Sequence, residues 1–326
     1  MENEIDLPPQ QELYFPISPF MIFPEASGDF SIYLRKGKNY LLFSRKGESF
    51  TEKHKTSLHD HGVSEIYILL AQKPAYDRYL EDNLSLVLLN ESIPLSVRSS
   101  VFYYSSTTAV RELMETRLTS VSTAAHAKLM QIVQSSIRFL ANSSAMRSVA
   151  SMMSHHYRTY THSANVLILA LAVFESYQEP EPAKVQLGLG ALLHDIGKSK
   201  IPKFILNKRG RLNTEEWEVV KTHPVRGVGL CTAAPLEQAA IHSILFHHER
   251  CDGSGYPAGL TGDGIPLAAK IIGIVDTYDA LTSKRPYADD MSPFQALTLM
   301  RDDMKGALDP DVIKRFILVL SGAGIV

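Results

Sequence analysis

The sequence is poor in cysteine and has no strong excess of either charge. Its 326 residues include two cysteines, Cys231 and Cys251, which is too few for a disulfide framework in a chain of this length. The formal net charge is −2, so no broad basic surface is expected for nucleic acid or for an anionic membrane. An anionic ligand would therefore have to be bound by a local group of side chains, and no nucleic-acid partner is expected.

Long hydrophobic runs are also missing. The longest, Ala164–Phe174, is far shorter than the ~20 residues of a membrane-spanning helix and predicts a buried helix instead. The acidic and polar Met1–Gln11 does not resemble a signal peptide, which needs a basic start and an apolar run. We therefore expect a cytoplasmic protein with no membrane span.

The length and composition are sufficient for two domains. Hydrophobic residues make up 45% and charged residues 21% of the chain, as in ordinary globular proteins. Residues 1–95 contain aromatic and β-branched runs that predict strands, and we expect a mixed α/β domain there. The expected strands are Phe30–Leu34, Tyr40–Phe43, Val63–Leu70 and Leu84–Leu89, with a hairpin turn at Lys36–Asn39 and a short helix at Pro74–Asp82.

Residues 96–145 contain no Pro or Gly and carry spaced apolar residues, which predicts one or two linking helices. Leu118–Thr123 is a candidate break between them, and Asn142 is a candidate helix cap. Residues 146–326 are expected to form an all-α domain, because apolar segments of helical length alternate with loops. The expected helices are Val166–Tyr177, Val185–His194, Glu215–Lys221, Leu236–Phe246, Leu267–Leu281 and Asp311–Leu320. The predicted fold class is thus mainly α, with a smaller mixed α/β domain at the N-terminus.

Most of the 12 histidines lie between His155 and His248, and two tight pairs stand out among them. A single histidine is more often a hydrogen-bonded core residue than a ligand. The pairs His194-Asp195 and His247-His248, however, each follow an apolar run, and so does Asp276. Burying an imidazole and a carboxylate is unfavourable unless they are paired or bind a cation. These residues are therefore predicted to meet at one metal-binding site.

The donor set also indicates how many ions are bound. Imidazole and carboxylate suit first-row metals such as Fe, Mn, Zn, Co or Ni. The sequence offers more candidate ligands than one ion can use, and a carboxylate such as Asp195 can bridge two ions. Two metals ~3.5–4 Å apart generate a hydroxide at neutral pH and stabilise both in-line oxygens of a phosphate ester. The cluster by itself thus predicts a metal-dependent phosphohydrolase.

A glycine-rich loop follows the second histidine pair, from His248 to Gly259. Its glycines permit positive φ angles and a close approach of the backbone to a ligand. A plain surface turn would explain Gly-Ser-Gly alone. Tyr256 and Pro257, a few residues beyond two candidate ligands, favour a ligand-binding loop.

These motifs together resemble the HD-GYP family of phosphodiesterases. The resemblance covers roughly residues 146–320 and implies a helical HD-superfamily fold and hydrolysis of cyclic di-GMP to pGpG or GMP. The matching segments are His194–Lys198, Thr222–Pro224, His247–Glu249, Asp252–Pro257, Asp276–Thr282 and Arg285–Tyr287.

The resemblance also implies roles for individual residues. Two divalent metals, Fe or Mn with Zn, Ni, Co or Mg as alternatives, would be held with Asp195 as the bridge. Lys198 would stabilise developing charge or protonate the leaving oxygen, while Arg285 and Tyr256 would bind the substrate. The implied metal ligands are His162, His194, Asp195, His223, His247, His248 and Asp276. Asp279 is expected beside a metal ligand, and Glu249 either there or as a surface partner of Arg250.

Two positions depart from the family pattern. Arg158 stands where some members carry a glutamate that helps to hold a third metal, so we expect two metals. Ala288 stands where a second basic residue is common, which leaves one phosphate contact in doubt. The alternatives are a binding or adaptor protein that interacts with GGDEF-type diguanylate cyclases, and an HD phosphohydrolase acting on another nucleotide.

The remaining histidine groups and the N-terminal domain carry no readable chemistry. His155-His156 is expected on a helix surface or a loop, and His59-Asp60-His61 in a solvated turn. The N-terminal domain is expected to regulate or dimerise the chain, which makes a homodimer a candidate state. The expected domains are residues 1–95, linking helices 96–145 and a catalytic domain 146–326.

Overall fold

The structure is a computed structural model that describes residues 13–24, 26–115, 119–153, 159–208, 210–283 and 291–325. The strands are β1 Tyr14–Ile17, β2 Ile32–Lys36, β3 Asn39–Ser44 and β4 Ile66–Leu69. The helices before residue 180 are α1 Glu52–Asp60, α2 Lys73–Asp82, α3 Leu84–Leu89, α4 Leu95–Glu115, α5 Thr123–Leu140, α6 Ser143–Ala150 and α7 Thr159–Glu175. The later helices are α8 Glu181–Leu193, α9 Lys203–Leu206, α10 Thr214–Lys221, α11 His223–Leu230, α12 Gln238–Phe246, α13 Leu267–Thr282, α14 Pro293–Asp302 and α15 Pro310–Gly322.

The chain divides into two compact units, residues 1–101 and 102–326. The first unit contains an antiparallel sheet with the strand order β1-β4-β2-β3. Lys36 pairs with Asn39 across the β2–β3 hairpin, and Gly37 in its turn has a φ of 65°. A positive φ is readily adopted by glycine, so the predicted hairpin is confirmed together with its turn. The helix predicted at Pro74–Asp82 is also present as α2.

One predicted strand is wrong, because Leu84–Leu89 forms helix α3. Its buried residues are Leu84, Val87 and Leu88. Their spacing of three and four places them on one face of a helix. A short apolar run fits a buried strand and a buried helix equally well when judged by periodicity alone. The segment therefore contributes a helix to the first unit where a strand was expected.

The second unit is all-α in its described residues, as predicted. Helix α8 is buried from Val185 to Leu193 and packs against α5, α7 and α12, while α13 packs against α7. Ser122 caps α5 by accepting a hydrogen bond from the Ala125 amide, and Asn142 caps α6. No helix among the described residues is both long and apolar enough to cross a membrane. The apolar helices α7, α8, α12 and α13 thus form the core on which the polar residues below are placed.

Candidate metal centre

Three buried histidines stand at the C-terminal ends of helices and are held in the same way. His194 follows α8, His247 follows α12, and His223 lies just beyond the end of α10. In each ring Nδ1 donates to the carbonyl oxygen three residues earlier, at 2.7 to 2.8 Å, and these residues are Ala191, Ile244 and Val220. The last carbonyls of a helix have no partner within it, so each helix end orients its own histidine.

This orientation leaves the Nε2 atoms of His194, His223 and His247 without a proton and directs them into the centre. A neutral imidazole whose Nδ1 carries the proton has an unprotonated Nε2. The Nε2 atoms of His223 and His247 are 3.3 Å apart, and those of His194 and His162 are 3.2 Å apart. In the pair His223 and His247, where both Nδ1 atoms carry the proton, the two Nε2 lone pairs repel each other unless a cation lies close to both. The histidines therefore fit divalent metal ions.

His162 on α7 is positioned by two carboxylates of α13. Its Nδ1 is 2.7 Å from Oδ2 of Asp279, and its Nε2 is 3.0 Å from Oδ1 of Asp276. Asn165 donates to Oδ1 of Asp279 at 2.8 Å and accepts from the Tyr103 hydroxyl at 3.0 Å. A chain of hydrogen bonds thus fixes the ring of His162 from the side opposite to the other histidines, as a carboxylate does for many metal-binding histidines.

Asp195 lies between two groups of candidate ligands. The ligand atoms within each group lie within 4.8 Å of one another: Asp195, His223, His247 and His248 in one, and His162, His194 and Asp195 in the other. Asp195 is 1% exposed, and its Oδ1 has no hydrogen-bond partner among the described residues. Asp276 adds a second carboxylate, with Oδ2 at 3.7 Å from Nδ1 of His248. A buried carboxylate oxygen without a donor is unfavourable, and a bound cation would satisfy it.

The protonation states of the buried histidines and aspartates also favour metal binding. Burial lowers the pKa of His223 to about 4 and that of His248 to about 3, so both rings are neutral at pH 7. Burial raises the pKa of Asp195, but Lys198 and His194 outweigh this effect and lower it well below its usual value. Asp276 behaves likewise, since His162, His248 and His194 together outweigh burial. Neutral imidazoles and ionised carboxylates are the forms that bind metals.

Lys198 reaches the centre from a 3-10 helix, Ile196–Lys200, and its Nζ is 2.6 Å from Oδ2 of Asp195. The turn depends on Gly197. A Cβ at this position would lie 1.9 Å from the carbonyl oxygen of His223 and 2.6 Å from the amide nitrogen of Gly227. Gly197 is thus required for the close approach of α11, while α8 already ends at Leu193.

The glycine-rich loop carries Tyr256 to the edge of the centre. The Tyr256 ring centroid is 4.8 Å from that of His248, and its amide donates to the His248 carbonyl oxygen. Gly253 and Gly259 have positive φ angles, as predicted for this loop. Burial raises the pKa of the Tyr256 hydroxyl, so it remains a proton donor at neutral pH.

Glu249 anchors this loop from inside. It is buried, and its two carboxylate oxygens accept from the amides of Ala258 at 2.6 Å and Leu260 at 2.9 Å. The alternative of a surface partner for Arg250 is wrong, because Arg250 donates to the Glu249 carbonyl oxygen and to Thr277. Glu249 therefore supports the loop that bears Tyr256.

Comparison with known proteins agrees with this geometry. Residues 147–312 match the HD domain family, which is half of the chain. The chain belongs to the HD domain family. The resemblance predicted from the motifs is confirmed, and the helical second unit carries the expected HD fold.

Two relatives of this HD domain protein have assigned activities. A cyclic di-GMP phosphodiesterase of Pseudomonas aeruginosa is 35% identical over 199 residues, which cover 61% of this chain and 47% of the relative. A 3'3'-cGAMP-specific phosphodiesterase of Vibrio cholerae is 33% identical over 153 residues, which cover 47% of this chain and 33% of the relative. The chain thus spans less than half the length of either relative.

One solved structure has a similar fold over nearly the whole chain. The HDG"Y"P protein from Bdellovibrio bacteriovorus superposes with a TM-score of 0.63 at 20% identity, covering 94% of this chain and 99% of that protein. At this identity the likeness is one of fold. It confirms the predicted fold class, a mainly helical protein with a small sheet near its N-terminus.

The HD domain brings together nearly all the site residues expected from the sequence. All seven predicted metal ligands lie in or beside the two groups that share Asp195, and Lys198 and Tyr256 adjoin them. Arg285, Arg158, Ala288 and the pair His155-His156 lie outside the described residues. His59 and His61 are exposed, and no metal-binding group among the described residues includes them.

Two residues that support the centre were missed by the sequence reasoning. Asn165 donates to Asp279 and Tyr103 donates to Asn165, and neither residue is placed by a metal-binding motif. Asn165 did interrupt the most apolar run of the chain, three residues after His162 on the same helix. A polar residue one turn from a candidate ligand, within a buried helix, was a signal that could have found it.

Proposed function

We propose that this HD domain protein is a metal-dependent phosphodiesterase that hydrolyses cyclic di-GMP. The observation that carries the proposal is Asp195, which belongs to two groups of candidate histidine ligands and has Lys198 at 2.6 Å from its Oδ2. Such a pair of sites suits cleavage of a phosphodiester. The activity of the relative from Pseudomonas aeruginosa supports cyclic di-GMP as the substrate.

The same groups suggest how the metals are held. We propose two divalent ions, Fe or Mn, with Zn, Ni, Co or Mg as alternatives. His162, His194 and Asp276 would serve one ion, His223, His247 and His248 the other, and Asp195 both. The replacement of a glutamate by Arg158 supports two ions instead of three, because a guanidinium cannot bind a metal.

The protein residues would divide the remaining tasks. When bound, the metals would supply Lewis acidity and lower the pKa of a water molecule to near neutrality. Lys198 would place its positive charge beside the scissile phosphate and hold a proton for the leaving oxygen. Tyr256 would donate from its protonated hydroxyl, and Arg285 would bind a phosphate through its planar guanidinium.

The decisive experiment is hydrolysis of cyclic di-GMP by the full chain loaded with Mn or Fe. We expect pGpG or GMP as the product by chromatography, and no product from Asp195→Asn. A parallel assay with 3'3'-cGAMP tests the second candidate substrate, which the relative from Vibrio cholerae supports. Nucleotide binding without any turnover at full metal occupancy would instead favour an adaptor that interacts with GGDEF proteins.

We further propose that residues 1–95 regulate or dimerise the catalytic domain of residues 146–326 through the linking helices of 96–145. The support is that helix α4, Leu95–Glu115, continues along the chain past residue 101, where the first unit ends. A chain lacking residues 1–95 should differ from the full chain in oligomeric state or turnover. Equal values for both, in a truncated chain with intact helical circular dichroism, would contradict this role.

A further inference from the structure

Trp217 on α10 lies at the rim of the metal centre with a large part of its side chain in water. It is 46% exposed, and its ring meets the Tyr256 ring edge-to-face, with centroids 6.3 Å apart and an angle of 81° between the planes. Tyr256 in turn contacts His248. An aromatic series therefore extends from the candidate metal ligands to an exposed indole.

The packing of α10 does not account for this indole. Val219 and Val220 of α10 belong to a small hydrophobic cluster. Its other members are Ile201, Ile205, Leu206 and Leu212. Trp217 does not belong to it. Trp217 is also the only tryptophan of the chain. A large aromatic side chain that contacts the Tyr256 ring and is 46% exposed is suited to cover a flat ligand.

The surrounding segment favours an anionic ligand. Residues 196–230 carry eight Lys or Arg and three Glu, in a chain whose net charge is −2. Lys198 of this segment is already at the metal centre. A cyclic dinucleotide combines phosphate charge with two purine rings. Its phosphates therefore suit the basic residues of this segment, and its purine rings suit the exposed indole.

We propose that Trp217 stacks against a purine base of the substrate, with Tyr256 as the neighbouring wall, and so determines the affinity for purine-bearing phosphodiesters. This inference rests on the proposed function. With one phosphate at the metals, a base can extend past Tyr256 to Trp217. Stacking on aromatic side chains is tolerant of base identity, so Trp217 would select for a purine nucleotide and not for guanine in particular.

The kinetic test compares variants of the full metal-loaded chain. Trp217→Ala should raise KM for cyclic di-GMP about tenfold or more and leave kcat within about threefold, because stacking acts on binding. Trp217→Phe should restore most of the affinity. Phe294→Ala removes an aromatic side chain that is 76% exposed on α14 and serves as the matched control with unchanged kinetics. With methyl p-nitrophenyl phosphate, which lacks a purine, Trp217→Ala should match the wild type.

A spectroscopic test is independent of turnover. Because Trp217 is the sole tryptophan, its fluorescence should be quenched by GMP and left unchanged by ribose 5-phosphate. An unchanged KM in Trp217→Ala, or equal responses to the two probes, would overturn the inference. If the wild type quenches with GMP and yet hydrolyses no cyclic dinucleotide, the proposed function fails while the base-stacking site stands.

Discussion

His162 and Asp279 are 117 residues apart in the chain and joined by a contact of 2.7 Å between Nδ1 and Oδ2. The contact leaves Nε2 of His162 directed at Asp276 and His194. A carboxylate in this position orients the ring and makes its other nitrogen a better metal ligand. We therefore expect the affinity of the centre for a metal to depend on Asp279, which lies outside the candidate ligand set.

Asp279→Asn should keep the volume of the side chain and remove its charge. We expect metal affinity to fall by about 10- to 100-fold, the range typical of such partners of a metal-binding histidine. Competition with a metal-binding dye measures the change. Asp303→Asn, an exposed aspartate just beyond α14, is the control and should bind metal as the wild type does. Equal affinities for both variants would remove Asp279 from any role in metal binding.

Asp195 and His194 should differ in how many metals their loss removes. Asp195 belongs to both groups of candidate ligands, whereas His194 belongs to one. Elemental analysis should therefore find about one metal per chain in His194→Ala and much less than one in Asp195→Asn. The opposite order would mean that Asp195 does not bridge.

Gly197→Ala should disrupt the approach of α11 to the turn at Lys198. The added Cβ would lie 1.9 Å from the His223 carbonyl oxygen, so α11 must move. We expect a loss of about 3 kcal/mol in the free energy of unfolding, with a lower metal content, because backbone cannot yield as a side chain does. Urea unfolding measures the first effect.

The control for this variant is Gly229→Ala, which lies within α11. Nothing lies within 4 Å of a Cβ there, and alanine is favoured over glycine in a helix by about 1 kcal/mol. Gly229→Ala should thus be neutral or stabilising. Two equally destabilised variants would show that the close contact at Gly197 is not the cause.

The metal-free protein should lose stability on mild acidification. Burial holds the pKa of His223 near 4 and that of His248 near 3 in the folded chain, below the ordinary value of 6.5. Below pH ~6.5 the unfolded chain takes up protons that the folded chain does not, so unfolding becomes more favourable until about pH 4. Each histidine contributes roughly 1.4 kcal/mol per pH unit in this window. Urea unfolding of chelator-treated protein at pH 7 and pH 5 checks this, and a flat profile would contradict it.

The sequence identified most of the candidate centre because its ligands come in adjacent pairs after apolar runs. The pairs His194-Asp195 and His247-His248 could be recognised from the sequence, since each follows the C-terminal end of an apolar helix. His162 has no such partner beside it. Its environment is made by α13, more than a hundred residues away, so only the family motif pointed to it.

Two other features could not be predicted for related reasons. Leu84–Leu89 is a short apolar run, and tertiary packing decided between strand and helix. Glu249 lies beside Arg250, which suggested an ion pair, but its actual partners are the amides of Ala258 and Leu260 around the loop. Such contacts depend on the path of the loop, which local patterns do not determine.

The anchoring of the loop by Glu249 has a consequence for local unfolding. Glu249 directly follows His248, so one short piece of backbone holds both a candidate metal ligand and the loop that carries Tyr256. Neither can open without disturbing the other. The loop and the centre should therefore form a single cooperative unit in hydrogen exchange, in which bound metal slows exchange of the Ala258 and Leu260 amides together.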